Sequence, residues 1–331
     1  MTRGNTSGPR LTIAIPTLNR AHFVERAVAS ALAQTSQQIE VIVSDNGSTD
    51  DTSLVLEKFQ DSRLRKFRHA QTMPASAHGN FLIQQSNGGL FLGLSDDDHL
   101  EPDFAARILE LFDRCPDLSF AYSGCWVHYG SATVPTRTGP EIEPGTSFIR
   151  AYFAGQREVC WCACVTRLDR LRAIGPIPDG RIFGDMFYWT KLAFEGSVGC
   201  VATPLSHYTF MTDNLSSAVP VLEWARETRM LADEVLAAYT RSCDGSAAAH
   251  DIRRSLHRYV ARSTANQFVW NAIRGRAHGS LSRDVVDALP FLVRDPTVWP
   301  RVIAAGTIPK PWLKKLVLKS AGSRARLRRP S

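Results

Sequence analysis

An α/β fold on a mainly parallel sheet, followed by a helical appendage, is the architecture this sequence predicts, and three observations predict it. Short β-branched apolar runs alternate with helix-period runs through the first two-thirds of the chain. Polar clusters stand immediately after several of the apolar runs, and beyond Asn214 the strand signals cease. With 331 residues, 44% of them hydrophobic, the chain can bury a large core, so one sizeable domain plus an addition is expected.

The first run, Leu11 to Ile15, is apolar enough to be buried on both faces, as an inner parallel strand requires, and Pro16 should end it. Phe23, Val24, Ala27, Val28, Ala31 and Leu32 recur at helical spacing, and a second strand, Ile39 to Val43, closes on Ser44-Asp45. The unit then repeats. A helix opens near Ser48 to Thr52, strands lie at Leu64 to Arg68 and Leu90 to Leu94, and a helix from about Asn80 separates them. Pro102 begins a helix reaching about Cys115, Phe120 to Val127 reads as strand, and Tyr129 to Gly145 is rich in turn formers and reads as a loop. A strand at Val159 to Val165, which would put Cys160, Cys162 and Cys164 on one face, and helices at Leu168 to Ile174 and Asp185 to Phe194 complete the body. Three helical stretches follow, Val221 to Thr240, Asp251 to Ile273 and Asp284 to Leu292.

Charge and cysteine narrow the function classes. The net charge of +7 comes from the end of the chain, where all eight charged residues from Lys310 onward are basic; without them 31 basic residues face 32 acidic ones. A neutral body argues against nucleic acid as a partner. Seven cysteines, no CxxC pair and a polar start suit a reducing cytoplasm, with the thiols buried and structural rather than ligating zinc. No run approaches the roughly 18 apolar residues of a membrane-spanning helix.

In open parallel sheets ligands sit beyond the carboxyl ends of the strands. Three clusters occupy such places: Pro16-Thr17-Leu18-Asn19-Arg20, Asp45-Asn46-Gly47-Ser48, and Ser95-Asp96-Asp97-Asp98. Asp45 can accept the imide N–H of a uracil or thymine ring, or belong to a helix-capping loop in which Ser48, Thr49 or Asp50 satisfies backbone amides. Asp96, Asp97 and Asp98 repel one another unless solvent or a cation neutralises them. They suit Mg²⁺ or Mn²⁺ bridging a diphosphate, or else a solvated loop before the Pro102 helix. Asp185 is embedded in Ile-Phe-Gly-Asp-Met-Phe-Tyr-Trp, where desolvation would raise its proton affinity as a general base requires, although a helix-start aspartate is the plainer reading.

Together these residues resemble the family 2 glycosyltransferases of the GT-A fold, and especially the bacterial enzymes that build surface polysaccharides and glycolipids. The resemblance rests on Thr12 to Arg20, Glu40 to Thr52, Ser95 to Asp98 with Pro102 following, and Gly184-Asp185 with Gly196 downstream, ordered over roughly residues 10 to 215. It implies that Pro16, Thr17, Asn19, Arg20, Asn46 and Ser48 line the nucleotide pocket, that Asp45 reads the base, and that Gly79-Asn80 approaches the nucleotide. It implies a DXD pair of Asp96 and Asp98, with Asp98 the principal metal ligand, Asp96 nearer the ribose or the metal's water shell, and Asp97 able to share. Asp185 would be the base of an inverting transfer from a nucleotide-diphosphate sugar to a glycan or glycolipid acceptor. Two departures are visible. Ser95 stands where many relatives have Asp, and Tyr208 to Met211 replaces a common Arg-x-His, leaving His207 as the candidate if a histidine completes the metal sphere.

The expected organisation is a flexible segment over 1–9, the transferase domain over 10–215, a helical region over 216–309 and a basic amphipathic tail over 310–331. In the tail, Trp312, Leu313, Leu316 and Val317 share a helical face beside lysines, so Lys310 to Arg329 is expected to touch an anionic membrane at the inner face of the cytoplasmic membrane. Two rivals are a sugar nucleotidyltransferase, which would want glycine in the loop after the first strand where Pro16 to Arg20 has none, and a non-catalytic nucleotide-sugar-binding relative.

Overall fold

The computed structural model describes residues 8–130, 132–210, 219–242, 246–274, 288–293, 295–300 and 302–303. In chain order the elements are β1 (Leu11–Thr17), α1 (Ala21–Leu32), β2 (Ile39–Asp45), α2 (Thr52–Glu57), β3 (Leu64–Arg68), α3 (Ala75–Gln85), β4 (Leu90–Gly93), β5 (His99–Leu100), α4 (Phe104–Arg114), β6 (Leu118–Tyr129), β7 (Ala132–Pro135), β8 (Ile142–Pro144), α5 (Gly145–Phe153), β9 (Cys164–Arg167), α6 (Leu168–Ile174), α7 (Gly184–Leu192), β10 (Ser197–Phe210), α8 (Val221–Ser242) and α9 (Ser246–Arg274). They fall into two compact units, one of residues 1–126, 136–145 and 158–209, the other of 127–135, 146–157 and 210–331.

The first unit is the expected α/β layer structure. Its sheet runs β3-β2-β1-β4-β9-β6-β10-β5. β3, β2, β1 and β4 are mutually parallel, whereas β9 pairs antiparallel with both β4 and β6, so the sheet is mixed beyond its first four strands. Composition explains the centre: Leu11, Ile13, Ile15, Val41, Val43 and Leu92 are buried with Val24, Ala27, Val28 and Ala31 of α1 and Phe104, Ile108 and Leu111 of α4 in one apolar cluster. Each fully buried side chain of this size contributes about 1.5–3 kcal/mol, and the helices present them at i, i+3, i+4 spacing.

Three expectations need correction. Pro16 does not end β1, which continues to Thr17 opposite Asp45. Ala14, of the same parity, points its carbonyl at Leu94 N, and β4's register stops at Ala14, so the N–H that proline lacks faces the side where the neighbouring strand is over. The turn-rich stretch 129–145 holds two short strands, because β7 finds a partner in β6 and β8 in β10. The cysteine segment is not one strand either. Trp161–Ala163 form a single 3₁₀ turn before β9, so Cys162 joins the apolar cluster while Cys164 faces the opposite side of the sheet. The cause is a contact no local pattern encodes, since the indole of Trp161 lies directly on Gly93.

The second unit is helical, as the periodicity after residue 214 predicts. Val221, Ala261, Ala265, Phe268, Val269, Ala288 and Leu292 form its core, and the Gln267 and Asn271 amides both donate to Val219 O, at 2.8 and 3.2 Å. The boundary expected near 216, most of the segment expected over 1–9 and the tail over 310–331 lie outside the described residues.

Candidate active site

Because β2, β1 and β4 are adjacent and parallel, the residues that follow them emerge at one edge of the sheet. The loops there are laced by their own side chains. Asn19 sits at φ 53°, a left-handed conformation that asparagine tolerates better than most residues. Its N–H donates to Ser48 Oγ at 2.8 Å and its Oδ1 accepts from Thr49 N–H at 2.8 Å. Asn46 donates its backbone N–H to Thr17 O and exchanges two bonds with the Met73 backbone, at 2.9 and 3.0 Å. Asn19, Asn46 and Ser48 thus tie these loops to one another and spend polar atoms on backbone partners.

Asp45, 1% exposed, uses its two oxygens differently. Oδ1 accepts from Ser48 N–H at 2.8 Å, closing the turn, while Oδ2 is buried with no hydrogen bond, 3.6 Å from Arg68 Nε. Leaving such an atom unbonded costs about 1–3 kcal/mol, which a donor from a ligand would recover. Beneath it, Ser44 Oγ lies between His69 Nε2 at 3.0 Å and His78 Nε2 at 2.8 Å. Burial, reinforced by His69, pushes the His78 pKa down to about 4, so His78 is neutral at ordinary pH.

The acidic cluster divides its labour differently. Asp97 turns its carbonyl to Arg26 NH2 at 2.8 Å and Thr209 Oγ1 at 2.7 Å, and its carboxylate lies 3.8 Å from Arg20 NH1. Asp96 is pushed up to about 6 by burial, with Asp97 adding to the rise and the Thr17 hydroxyl and Arg20 opposing it. Asp98, 1% exposed, accepts Thr209 N–H on Oδ1 at 2.8 Å and leaves Oδ2 without a hydrogen bond. Burial, then the charge of Asp97, raises its proton affinity well above the usual carboxylate range. Behind it Cys125 and Cys162 approach to 4.0 Å between sulfurs, and hydrogen bonds from Cys160 and Cys162 bring the Cys125 thiol down to about 4. Among the described residues no three His, Cys, Asp or Glu side chains converge as a ready-made metal cage. Mg²⁺ asks for less, since it takes one or two carboxylates and completes its shell with phosphate and water.

His207 does not turn towards that cluster. Paired opposite His99, it stacks on that ring at 4.1 Å and meets Glu101 Oε1 through Nε2 at 2.8 Å. What β10 brings to Asp98 is Thr209.

Asp185 lies in the first turn of α7, half-buried, with desolvation raising its proton affinity against the pull of its own and the Met186 amide. Its charge is felt by the buried Cys164 thiol of β9, which it helps to push up after burial itself. The approach to Asp185 is clamped from α3. Asn80 Nδ2 donates to Ile177 O at 3.1 Å and Asn80 Oδ1 accepts from Ile177 N–H at 2.8 Å. Side chains at Gly79 or Gly184 would meet Ile177 Cδ1 at 3.6 and 3.2 Å. Gly79 and Asn80, expected to approach the nucleotide, hold the segment that leads to Asp185. Sequence reasoning missed Arg68, Thr209 and Ile177. Thr209 and Ile177 reach their partners from 111 and 97 positions away along the chain, a separation no local motif signals.

Comparison with known proteins matches this fold. The family model "Glycosyl transferase family 2" matches residues 12–167. The GalNAc(5)-diNAcBac-PP-undecaprenol beta-1,3-glucosyltransferase of Campylobacter jejuni subsp. jejuni is 35% identical over 96 residues, 28% of this chain and 31% of that one. The first curated relatives are matched over less than a third of their own length. Among solved structures, S. aureus TarS 1-349 in complex with UDP-GlcNAc superposes with a TM-score of 0.64 at 16% identity, covering 96% of this chain and 92% of that one. The mannosyltransferase PcManGT of Pyrobaculum calidifontis, in complex with GDP-Man and Mn²⁺, gives a TM-score of 0.54 at 18% identity, covering 93% and 88%.

Proposed function

Because residues 12–167 belong to glycosyl transferase family 2 on a GT-A fold, we propose that this chain transfers a sugar from a nucleotide-diphosphate sugar to an acceptor hydroxyl, with inversion at the anomeric carbon. The observation that carries this reading is the pair of buried, unbonded carboxylate oxygens, Asp45 Oδ2 and Asp98 Oδ2, at one sheet edge. The first suits a base N–H and the second a cation.

Asp45 accepts the imide N–H of a pyrimidine base. Arg20, whose NH1 is buried without a hydrogen bond, faces the diphosphate. Asp98, with Asp96 beside it, would hold Mg²⁺ or Mn²⁺, which when bound neutralises charge on the departing diphosphate. Asp185 removes the acceptor proton as the acceptor oxygen bonds to the anomeric carbon. The bond from that carbon to the diphosphate breaks, and the diphosphate leaves with the electron pair. One in-line displacement inverts the centre. Supporting the donor class, the TarS and PcManGT structures hold nucleotide sugars, and the latter also holds Mn²⁺.

Calorimetry or thermal shift with UDP-, dTDP-, CDP- and GDP-sugars, with and without Mn²⁺, tests the proposal. Metal-dependent binding of one nucleotide class is expected, and a response indifferent to both metal and nucleotide rejects it. The acceptor we propose is a glycan or lipid-linked precursor of the cell envelope, met on the cytoplasmic side of the membrane. No helix among the described residues is long and apolar enough to cross a membrane, and the basic tail Lys310 to Arg329 is the proposed contact with anionic lipid. Flotation with anionic liposomes should recover the full chain and lose a chain ending at residue 309; equal recovery would reject the membrane role.

A further inference from the structure

The reaction described above uses carboxylates and gives no role to Trp161, a large aromatic side chain seated on the strand that leads into the acidic cluster. Trp161 is half-buried and opens the 3₁₀ turn that leads into β9. Gly93 is the last residue of β4, immediately before Leu94 and the acidic cluster. A Cβ there would stand 2.2 Å from Trp161 Nε1, 2.4 Å from Cε2 and 2.6 Å from Cζ2. The indole therefore occupies the volume that any other residue at 93 would claim. Glycine in a strand often marks such a close approach.

The sheet register fixes what else lies on that face. Leu92 is opposite Val165, so one step further along the antiparallel pair Gly93 is opposite Cys164. Leu92 and Val165 face the main apolar cluster; Gly93 and Cys164 face the other side. Cys164 is the thiol that feels the charge of Asp185. Trp161 therefore lies against the strand end that delivers Asp96 to Asp98, on the face where Asp185 is found. In the proposed transfer the diphosphate belongs to the first group and the acceptor proton to the second, and a sugar joining them would come within reach of an indole seated on the last residue of β4.

We propose that Trp161 is the platform on which the transferred sugar ring rests, its aromatic surface packing against pyranose C–H groups and determining which sugars are accepted. Aromatic faces carry partial negative charge and a large apolar area, which suits the C–H face of a sugar while its hydroxyls bond elsewhere. This inference rests on the glycosyltransferase reading, and its test separates the two.

Calorimetry with Mn²⁺ on the full chain would compare each nucleotide sugar from the donor screen with its matching nucleoside diphosphate. In Trp161→Leu the affinity for the nucleotide sugar is expected to fall about tenfold while that for the nucleoside diphosphate stays within about twofold. Trp161→Phe keeps an aromatic face and should retain most of the difference. Gly93→Ala drives the indole off the strand and should reproduce the Trp161→Leu result with tryptophan still present. Equal affinity ratios in wild type and variants of unchanged Tm overturn the proposal, as does a parallel loss of both ligands. If Trp161→Leu does not fold, Gly93→Ala and Trp161→Phe decide by the same ratio. A wild-type chain that binds nucleoside diphosphates but no nucleotide sugar removes the platform, whereas one that binds neither removes the glycosyltransferase reading beneath it.

Discussion

Asp185→Asn is expected to lower kcat by about 10²–10⁴-fold, the range a positioned general base supplies, while the affinity for the nucleotide-sugar donor changes less than about twofold. The asparagine keeps the size and the start of α7 but cannot take the acceptor proton. The pH profile gives a second signature. Desolvation raises the proton affinity of Asp185, so in the wild-type chain activity should rise with pH as this carboxyl ionises, at higher pH than an exposed aspartate would show. The variant should lose that limb and retain whatever pH dependence the donor imposes. Asp185→Glu, which lengthens the side chain but keeps the carboxylate, should recover part of the rate. Retained turnover in the asparagine variant would remove Asp185 from the base role.

Asp98→Asn is expected to act in opposite directions on activity and stability. Losing the proposed cation ligand should cut turnover by about 10²-fold or more and abolish any rise of Tm on adding Mn²⁺. Without metal, the same change should raise Tm by a few degrees, since about 1 kcal/mol shifts Tm by roughly 2–4 °C in a domain of this size. The sign follows from linkage. Asp98 and Asp96 bind protons more tightly in the folded chain than in the unfolded one, so their contribution is intact at low pH and is lost as pH rises through their folded values. For Asp96 that window runs from near 4, its ordinary value, to about 6. Metal-free melts at pH 5 and pH 7 should therefore converge in the doubly substituted Asp96→Asn, Asp98→Asn chain relative to wild type. If Asp98→Asn lowers the metal-free Tm and keeps activity, Asp98 is a structural residue and the cation reading falls.

Much of this was legible in the sequence because buried parallel strands advertise themselves. Leu11 to Ile15 and Ile39 to Val43 are apolar except for Thr12 and Glu40, which are buried against each other at 2.6 Å, and the polar residues that follow lie at the strand ends. Asp45 and Asp98 were found for that reason. What local pattern did not give were contacts made across the sheet. The thiols of Cys160, Cys162 and Cys164 alternate like a strand, but Trp161 needed the space above Gly93, and that requirement curls the segment into a 3₁₀ turn. Asn80 entered through the resemblance alone, and no sequence pattern signals that its amide matches the backbone of Ile177 on both sides. His207 was the candidate because relatives carry a histidine nearby, and no pattern signals that it meets His99 and Glu101. In each case the side chain's chemistry was readable and its partner was not.

The antiparallel seam between β4 and β9 has a consequence for how such a chain can diverge. A strand leaving an edge and its antiparallel neighbour arriving there meet along a single line, so two distant stretches of sequence, 11–98 and 160–209, are joined at that seam, and under the proposed function the first serves the nucleotide and the second the reacting sugar and acceptor. Mutations that retune nucleotide choice and mutations that retune the reacting sugar and its acceptor would then accumulate in different parts of the gene. Swapping either stretch between related chains becomes a route to new pairings of donor and product, provided the small residue at 93 and the indole it accommodates travel together.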